Sequence, residues 1–326
     1  MSEKFGWCFI GAGSIVKRVM PEMHTTDGGF LASIYAPTFS HAKEITDQYG
    51  GVPYITAEEA LSDPNVKAAY IATPHTNHMD STILALKKGV PVLCEKPFAV
   101  NLDQTRAMID EARARKVYLQ EGMWTRHNPV FRKVLEWIEA GRIGRVLTMT
   151  ANMGGRWGQI DPTQRVFDPN RAGGPLLDVG VYAIAASRFI FGEKPERIAA
   201  MGELTSTGID AMTAILIKYP NGGIARLFSS CIASAGSDAA IHGEKGDIIV
   251  PNFAAPVTAD LLTDTGNETY SPIIPYEGFA YEFNAAMADI RAGRLENEFV
   301  SHAYTTEVME TMDDIRSQIG LRFPME

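Results

Sequence analysis

Cysteine is scarce in this chain of 326 residues, and its three copies, Cys8, Cys94 and Cys231, stand far apart. They form no CxxC pair. Cys8 and Cys94 lie inside the apolar runs FGWCFI and VPVLCE, where a buried, reduced thiol is the expected state. A reducing compartment follows from that, and the expected location is cytoplasmic. No HxxxH spacing and no Cys/His cluster occurs, so no metal is expected. Long hydrophobic runs are also missing. No apolar segment approaches the roughly 18 residues needed to cross a bilayer. The apolar stretch that starts at Phe5 breaks at Gly11, which is unlike a signal peptide. Positive charge is in deficit, with 30 Lys and Arg against 39 Asp and Glu, a net charge of -9. That balance excludes a surface built to hold a phosphate backbone, so neither nucleic acid nor membrane is an expected partner. No long like-charge run, internal repeat or low-complexity linker appears.

What is present is an ordinary globular composition, 45% apolar and 21% charged. The length exceeds one ordinary core and suits two domains. Up to about residue 121, short apolar runs alternate with helix-patterned segments. Phe5–Ile10, Phe30–Tyr35, Val66–Thr73, Val90–Glu95 and Val117–Glu121 are expected strands. Helices are expected from about Ser14, over Phe39–Tyr49 and Ala57–Leu61, through Met79, Ile83 and Leu86, and over Leu102–Lys116. Such alternation implies βαβ units and a doubly wound, mostly parallel sheet of Rossmann type covered on both faces. Beyond residue 122 the pattern changes. NPVFRKVLEWIEAG places Val130, Val134, Leu135 and Ile138 on one helical stripe, and longer strand-like runs follow. DAMTAILIKYP and GIARLFSSC flank an Asn221-Gly222 hairpin signal, and AAIHGEKGDIIV is a second hairpin candidate. The expected organisation is a dinucleotide-binding domain over 1–122. A substrate-binding and oligomerising α+β domain with an open, largely antiparallel sheet follows over 123–326.

Gly11-Ala12-Gly13 directly follows the first strand and opens the first helix. The first glycine allows a tight turn and the second lets backbone approach a pyrophosphate. The helix start at Ser14 and Ile15 supplies free N–H groups and a positive dipole end. Val16 stands where the third glycine of this fingerprint belongs. An NAD site ordinarily ends its second strand with an acid that holds the ribose hydroxyls. Here Tyr35-Ala36-Pro37 occupies that place, with no arginine directly after it. Thr38, Ser40, His41 and Lys43 are near enough to contact a 2′-phosphate, or to act as helix caps. The missing acid tips a choice between NADP and NAD slightly toward NADP.

Glu95-Lys96-Pro97 follows the buried run VPVLC. A lysine at the carboxyl end of a parallel strand lies where open α/β sheets bind ligands. Together with GAG, the segments TPHTNH (Thr73–His78), EKPFAVN (Glu95–Asn101), EGMWTRHNP (Glu121–Pro129) and GGPLLDVGVY (Gly173–Tyr182) occur in order. The chain thereby resembles the glucose–fructose oxidoreductase, inositol dehydrogenase and MocA (Gfo/Idh/MocA) family of NAD(P)-dependent oxidoreductases. The resemblance runs on through IHGEKGDIIV and FAYEFNAAMADIRAG. The Trp-x-Arg and Gly-Val-Tyr variants look most like the branch of dimeric dihydrodiol dehydrogenases. Many other members carry His where Tyr182 stands.

The resemblance implies a dehydrogenase or reductase acting on CH–OH groups of a sugar, polyol or dihydrodiol. It implies Lys96 as the catalytic lysine, Tyr182 as acid/base, and Asp178 as the acidic residue before it. Gly11, Ala12 and Gly13 would contact the pyrophosphate. Thr73, Pro74, Asn77 and His78 would line the nicotinamide side, with Glu95 close to the ribose. The residues agree with these roles. Asp178 and Tyr182 are four apart in an expected helix over Asp178–Phe191, on one side of it. A phenol of pKa about 10 needs a neighbouring cation to work near neutrality, and Lys96 could supply it. Trp124 and Arg126 follow the last Rossmann strand, and Arg165 lies in a Gly- and Arg-rich stretch; all three are candidate substrate contacts. A homo-oligomer, with a dimer favoured, is expected through the second sheet. The competing reading is a non-catalytic dinucleotide-binding sensor or co-regulator on the same fold, which would have no need of Lys96, Asp178 and Tyr182.

Overall fold

The computed structural model describes residues 3–326. The chain divides into two compact units, one holding residues up to Trp124 with Pro275–Thr306, the other Thr125–Ile274 with Glu307–Glu326. In the first unit six parallel strands form a single sheet. They are β1 (Phe5–Ile10), β2 (Gly29–Tyr35), β3 (Val52–Tyr54), β4 (Val66–Ile71), β5 (Val92–Glu95) and β6 (Leu119–Gly122). Their spatial order is β3-β2-β1-β4-β5-β6. Helices α1 (Ser14–Val19), α2 (Phe39–Tyr49), α3 (Ala57–Ala60), α4 (His78–Lys87) and α5 (Leu102–Arg115) connect them. β1, β5 and β6 are buried along their whole length, as strands covered on both faces must be. The helix and strand expectations of this half hold, except that β3 was not anticipated. It is three residues long with Pro53 at its centre, and a residue without an N–H is tolerated only at a sheet edge.

The second unit begins with α6 (Pro129–Glu139) and carries an eight-stranded sheet. Its strands are β7 (Val146–Gly154), β8 (Arg197–Leu204), β9 (Asp210–Lys218), β10 (Ile224–Ser230), β11 (Ala239–Gly243), β12 (Gly246–Val250), β13 (Ala259–Thr263) and β14 (Gly266–Tyr270), with α7 (Val181–Phe191) between β7 and β8. The order is β14-β13-β12-β11-β7-β10-β9-β8, antiparallel except where β7 meets β10. Both expected hairpins are present, β9–β10 turning at Asn221-Gly222 and β11–β12 at Glu244-Lys245. β8 and β14 escaped the sequence reading because each is largely exposed or polar, and β13, ADLLT, because it is only five residues long with two adjacent leucines that break the alternation. One sheet face is buried, and on the other Met201 (81% exposed), Leu216 (51%) and Ile224 (43%) stand in the open.

The segment Pro275–Thr306, assigned to the second domain on pattern alone, folds with the first unit. Its helix α8 (Ala280–Arg291) sets Phe283 against Trp7 at 4.9 Å and Tyr70 at 5.0 Å between ring centroids. Burying that ring on β1 and β4 is a long-range gain of the kind that no local sequence signal announces. A second expectation also needs correcting. Pro169–Phe191 is by length and composition apolar enough to cross a membrane, but 78% of its apolar window is buried inside the protein, so it is core. Cys8, Cys94 and Cys231 are all buried and free, and burial pushes the Cys8 thiol up to about 12 and Cys231 to about 11.

Candidate active site

The first unit gathers its candidate residues along the carboxyl edge of the parallel sheet. Winding reverses between β1 and β4, the place where open α/β sheets bind ligands. Gly11 leaves β1 with φ of 115°, its N–H donating to the Tyr35 carbonyl at 2.8 Å. A Cβ here would stand 2.3 Å from the Ala72 carbonyl oxygen and 3.2 Å from Thr73 N, so only glycine permits this close crossing of two loops. Gly13 is the opposite case, with nothing within 4 Å of the space a Cβ would fill. It caps α1 without any side-chain hydrogen bond, and Ser14 beside it is exposed. Val16 is wholly buried and fills the helix–strand gap that a third glycine would leave.

The other loops of this edge sort the remaining candidates. Thr38 is exposed at the N-cap of α2 and makes no side-chain cap bond, so its hydroxyl is not spent on the helix. Lys43 instead pairs with Asp47 at 2.6 Å. After β4, Thr73 is half-buried and its Oγ1 is a buried atom without a hydrogen-bond partner, while Pro74 and Asn77 are exposed. His78 is not brought to the loop surface. It is wholly buried, with Nδ1 2.9 Å from the Pro97 carbonyl and Nε2 3.0 Å from the Thr73 carbonyl, and burial lowers its pKa to about 4. It ties the β4 loop to the β5 loop.

Lys96 is half-buried at the end of β5, and its peptide bond to Pro97 is cis. Its backbone N–H donates to Glu95 Oε2 at 3.1 Å, and the Tyr70 hydroxyl donates to Glu95 Oε1. Glu95 is 5% exposed. Burial raises its pKa, while the Lys96 charge and the Tyr70 hydroxyl pull it back down. Behind it lie three further buried carboxyls that the sequence did not single out. Glu22 accepts from the backbone N–H groups of Glu277, Gly278 and Ala280. Glu121 takes the Thr305 hydroxyl at 2.8 Å on Oε2 but has no partner on Oε1. Glu282 of α8 is wholly buried with no partner on either oxygen. Burial and the charges of Glu95, Glu22 and Glu121 push Glu282 well above the carboxylate range. Glu95 and Glu121 each end an apolar run, VPVLCE and VYLQE, and that was the available signal. Glu282, on the apolar side of a helix folded in from far along the chain, offered none.

In the second unit the helix carrying Asp178 and Tyr182 starts earlier than expected. A π-turn over Leu176–Gly180 precedes α7, so Asp178 lies in the π-turn and Tyr182 in the first α turn. Glycines at 173, 174 and 180 and Pro175 obscure that start in the sequence. Asp178 is paired with Arg165 at 3.1 Å, and Tyr182 is 8% exposed. Arg126 lies over the Phe189 ring at 4.7 Å. In the first unit Trp124, 3% exposed, packs on Phe279 at 4.6 Å, an interior contact. Among the described residues no group of three or more His, Cys, Asp or Glu is placed to hold a metal ion.

With this geometry in hand, comparison with known proteins is decisive. Residues 5–123 match the family model described as "Oxidoreductase family, NAD-binding Rossmann fold", and residues 131–249 match that of the GFO/IDH/MocA C-terminal domain. The chain is 31% identical over 335 residues to trans-1,2-dihydrobenzene-1,2-diol dehydrogenase of Mus musculus, covering 98% of each protein. The chain belongs to the Gfo/Idh/MocA family. It is therefore an oxidoreductase with an NAD(P)-binding Rossmann domain, and its likeness to dihydrodiol dehydrogenases is the one its motifs announced. The fold recurs in levoglucosan dehydrogenase in complex with NADH and levoglucosan (TM-score 0.88, 20% identity, 98% of each chain). It recurs too in KijD10, a 3-ketoreductase from Actinomadura kijaniata with NADP and TDP-benzene (TM-score 0.87, 21% identity, 97% of this chain and 98% of that one).

The residues present fit a dinucleotide. Gly13 leaves open the space that a Cβ would fill, and Thr73 offers a buried hydroxyl with no partner among the described residues.

The buried carboxyls set a pH dependence. Burial raises Glu121 from 4.5 to about 7. A carboxyl raised on folding contributes its stability in full below pH 4.5, and that stability is lost as pH rises through about 7. Glu121→Gln removes the ionisation and keeps the shape. Urea unfolding should show the variant matching the parent near pH 4.5 and exceeding it at pH 8, by up to about 3 kcal/mol. Equal differences at both pH values would exclude a buried ionisation here.

Proposed function

We propose that this protein is an NAD(P)-dependent dehydrogenase or reductase acting on a CH–OH group of a sugar, polyol or dihydrodiol. The observation that carries this reading is 31% identity over 98% of the length of a named diol dehydrogenase, in a chain that itself holds Lys96, Asp178 and Tyr182. A dinucleotide sensor would not need that trio. Gly11, Ala12 and Gly13, with the α1 start at Ser14 and Ile15, would hold the pyrophosphate, and Thr38 the adenosine end. Thr73, Pro74, Asn77, Glu95 and Lys96 would border the nicotinamide side, with His78 fixing the loops that carry them. When bound, the nicotinamide exchanges a hydride with the substrate carbon. The protein must then move one proton at the substrate oxygen and stabilise charge building there. Tyr182 donates or accepts that proton. Lys96 supplies the positive charge, with Glu95 holding its backbone, and Asp178 and Arg165 orient the substrate. Arg126 completes the set as a candidate substrate contact, whereas Trp124, packed on Phe279, is spent on the interior. The three buried, reduced cysteines suit a cytoplasmic setting.

Two substitutions test the roles. Lys96→Met keeps length and removes charge, and should lower turnover by roughly 10²–10⁴ while leaving dinucleotide affinity nearly intact. Tyr182→Phe should lose turnover similarly without loss of melting temperature, because the ring still packs. The assay is NAD(P)(H) turnover on trans-1,2-dihydrobenzene-1,2-diol, D-glucose, D-xylose and levoglucosan. Full activity of either variant on a substrate the parent uses would end the mechanism.

Cofactor choice follows from the second strand. No acid stands at Ala36 or Pro37 to repel a 2′-phosphate, and the Thr38 hydroxyl is not used as a cap. NADPH should bind at least as tightly as NADH in a fluorescence titration. A tenfold preference for NADH would show that this segment does not govern the choice.

The open face of the second sheet suggests assembly. Met201, Leu216 and Ile224 lie exposed on one face of the neighbouring strands β8, β9 and β10. A homodimer through this face is the expected state, and a monomer by light scattering at micromolar concentration would rule it out.

A further inference from the structure

We propose that Asp210 is a positioning residue for the reaction, its buried carboxylate fixing the turn from which Asp178 and Tyr182 project. The inference rests on the reading of Tyr182 as the proton-carrying group. Asp210 opens β9 and is wholly buried. Its Oδ2 accepts from the backbone N–H of Leu176 at 2.8 Å, across 34 residues of sequence. Leu176 is the first residue of the π-turn, and no local side chain caps that turn. Pro175, just ahead of it, has no N–H to offer. A helix start deep in the protein leaves its first donors without partners, and Asp210 supplies the acceptor from another element.

The contact reaches further than one hydrogen bond. Gly174 has φ of 111°, and a Cβ there would lie 2.1 Å from Asp210 Oδ1. The carboxylate therefore fits against a turn that only glycine can form. That turn is also held from its other side, because Gly174 N–H donates to the Val166 carbonyl at 2.9 Å. A Cβ on Gly173 would meet the same carbonyl oxygen at 2.7 Å. The loop so fastened carries Arg165, which reaches Asp178 at 3.1 Å. Asp178 N–H in turn donates to the Gly174 carbonyl at 3.2 Å. Asp210 is thus the fixed point beneath a closed circuit of the Arg165 loop, the Gly173-Gly174 turn and the π-turn, which feeds directly into Tyr182. A π-turn is a rare arrangement that persists where surrounding contacts determine it, often at a functional site. Burial raises Asp210 to about 7, opposed by the Leu176 N–H and by Arg316, and the hydrogen bond to Leu176 needs only the oxygen. A misplacement of about 1 Å at a reacting group can lower turnover roughly 10²-fold, so loosening this turn should act on kcat.

The test uses the full-length protein. Asp210→Ala removes the acceptor, whereas Asp210→Asn keeps an oxygen that can accept from Leu176. Three readouts are taken with NAD(P)(H) and the substrate panel above: kcat and KM, NADPH affinity, and hydrogen exchange of the peptide 174–182. Asp210→Ala should lower kcat roughly 10–100-fold, with KM within about threefold and NADPH affinity unchanged. Exchange of the 174–182 amides should quicken at least tenfold, and Asp210→Asn should restore kcat and protection to within about threefold. If Asp210→Ala does not fold, Asp210→Ser, whose hydroxyl is too short to reach Leu176, takes its place. Parental kcat in the folded variant overturns the proposal, as does an equal loss of kcat and melting temperature in Asp210→Ala and Asp210→Asn. Tyr182→Phe, assayed alongside, separates the two readings. If that variant is inactive while Asp210→Ala is fully active, Asp210 alone was misread; if Tyr182→Phe is fully active, the role of Tyr182 fails.

Discussion

The arrangement depends on one steric constraint, a glycine pressed against an oxygen where a side chain has no room. At Gly11 the oxygen is the Ala72 carbonyl, 2.3 Å from any Cβ; at Gly174 it is the Asp210 carboxylate, 2.1 Å away. Both glycines have φ well inside the left-handed range, 115° and 111°. Each reverses the chain within a residue or two and delivers it into a helix start, α1 in one case and the π-turn before α7 in the other. Placing candidate chemistry at helix starts is economical, because the early N–H groups are fixed donors that need no side-chain ordering. The cost is that nothing bulkier than glycine can stand at the crossing. Close backbone approach thus links sequence to site in both units, by different partners.

That device also explains what could be read from the sequence. GAG after an apolar strand is a local pattern, since turn, strand and helix are contiguous and the chemistry of each glycine is visible in place. EKP was legible for the same reason, being the end of a buried strand. Asp210 was not. It opens an amphipathic strand, DAMTAILIK, in which a leading acid looks like ordinary solvated surface, and its partner lies 34 residues away. The π-turn was hidden because hydrophobic periodicity over Leu176–Phe191 fits an α-helix, and a single widened turn shifts it by only one residue. Pro275–Thr306 was assigned to the wrong neighbour because its helix is amphipathic and fits any apolar surface. Long-range contacts decide where it docks, the Phe283 ring on Trp7 and Tyr70 and the Glu22 carboxyl on the N–H groups of Glu277, Gly278 and Ala280.

The carboxyls behind Lys96 show how a buried charge can be made tolerable. Four glutamates, Glu22, Glu95, Glu121 and Glu282, are each 5% exposed or less. Four anions that close would repel one another more strongly than their few donors could offset. The structure resolves this by giving them unequal partners. Glu22 has three backbone N–H groups, and Glu95 has the Tyr70 hydroxyl and the Lys96 N–H. Glu121 has one hydroxyl and Glu282 none. Glu282 is accordingly pushed well above the carboxylate range and Glu121 is raised to about 7, while the donors on Glu22 and Glu95 oppose the rise that burial imposes on them. Glu95 is the one attached to Lys96. The donors are thus unevenly placed: Glu282 has none, whereas both oxygens of Glu95 are held, one of them by the Lys96 N–H, so the carboxyl that fixes the lysine's backbone is itself fixed at the end of β5.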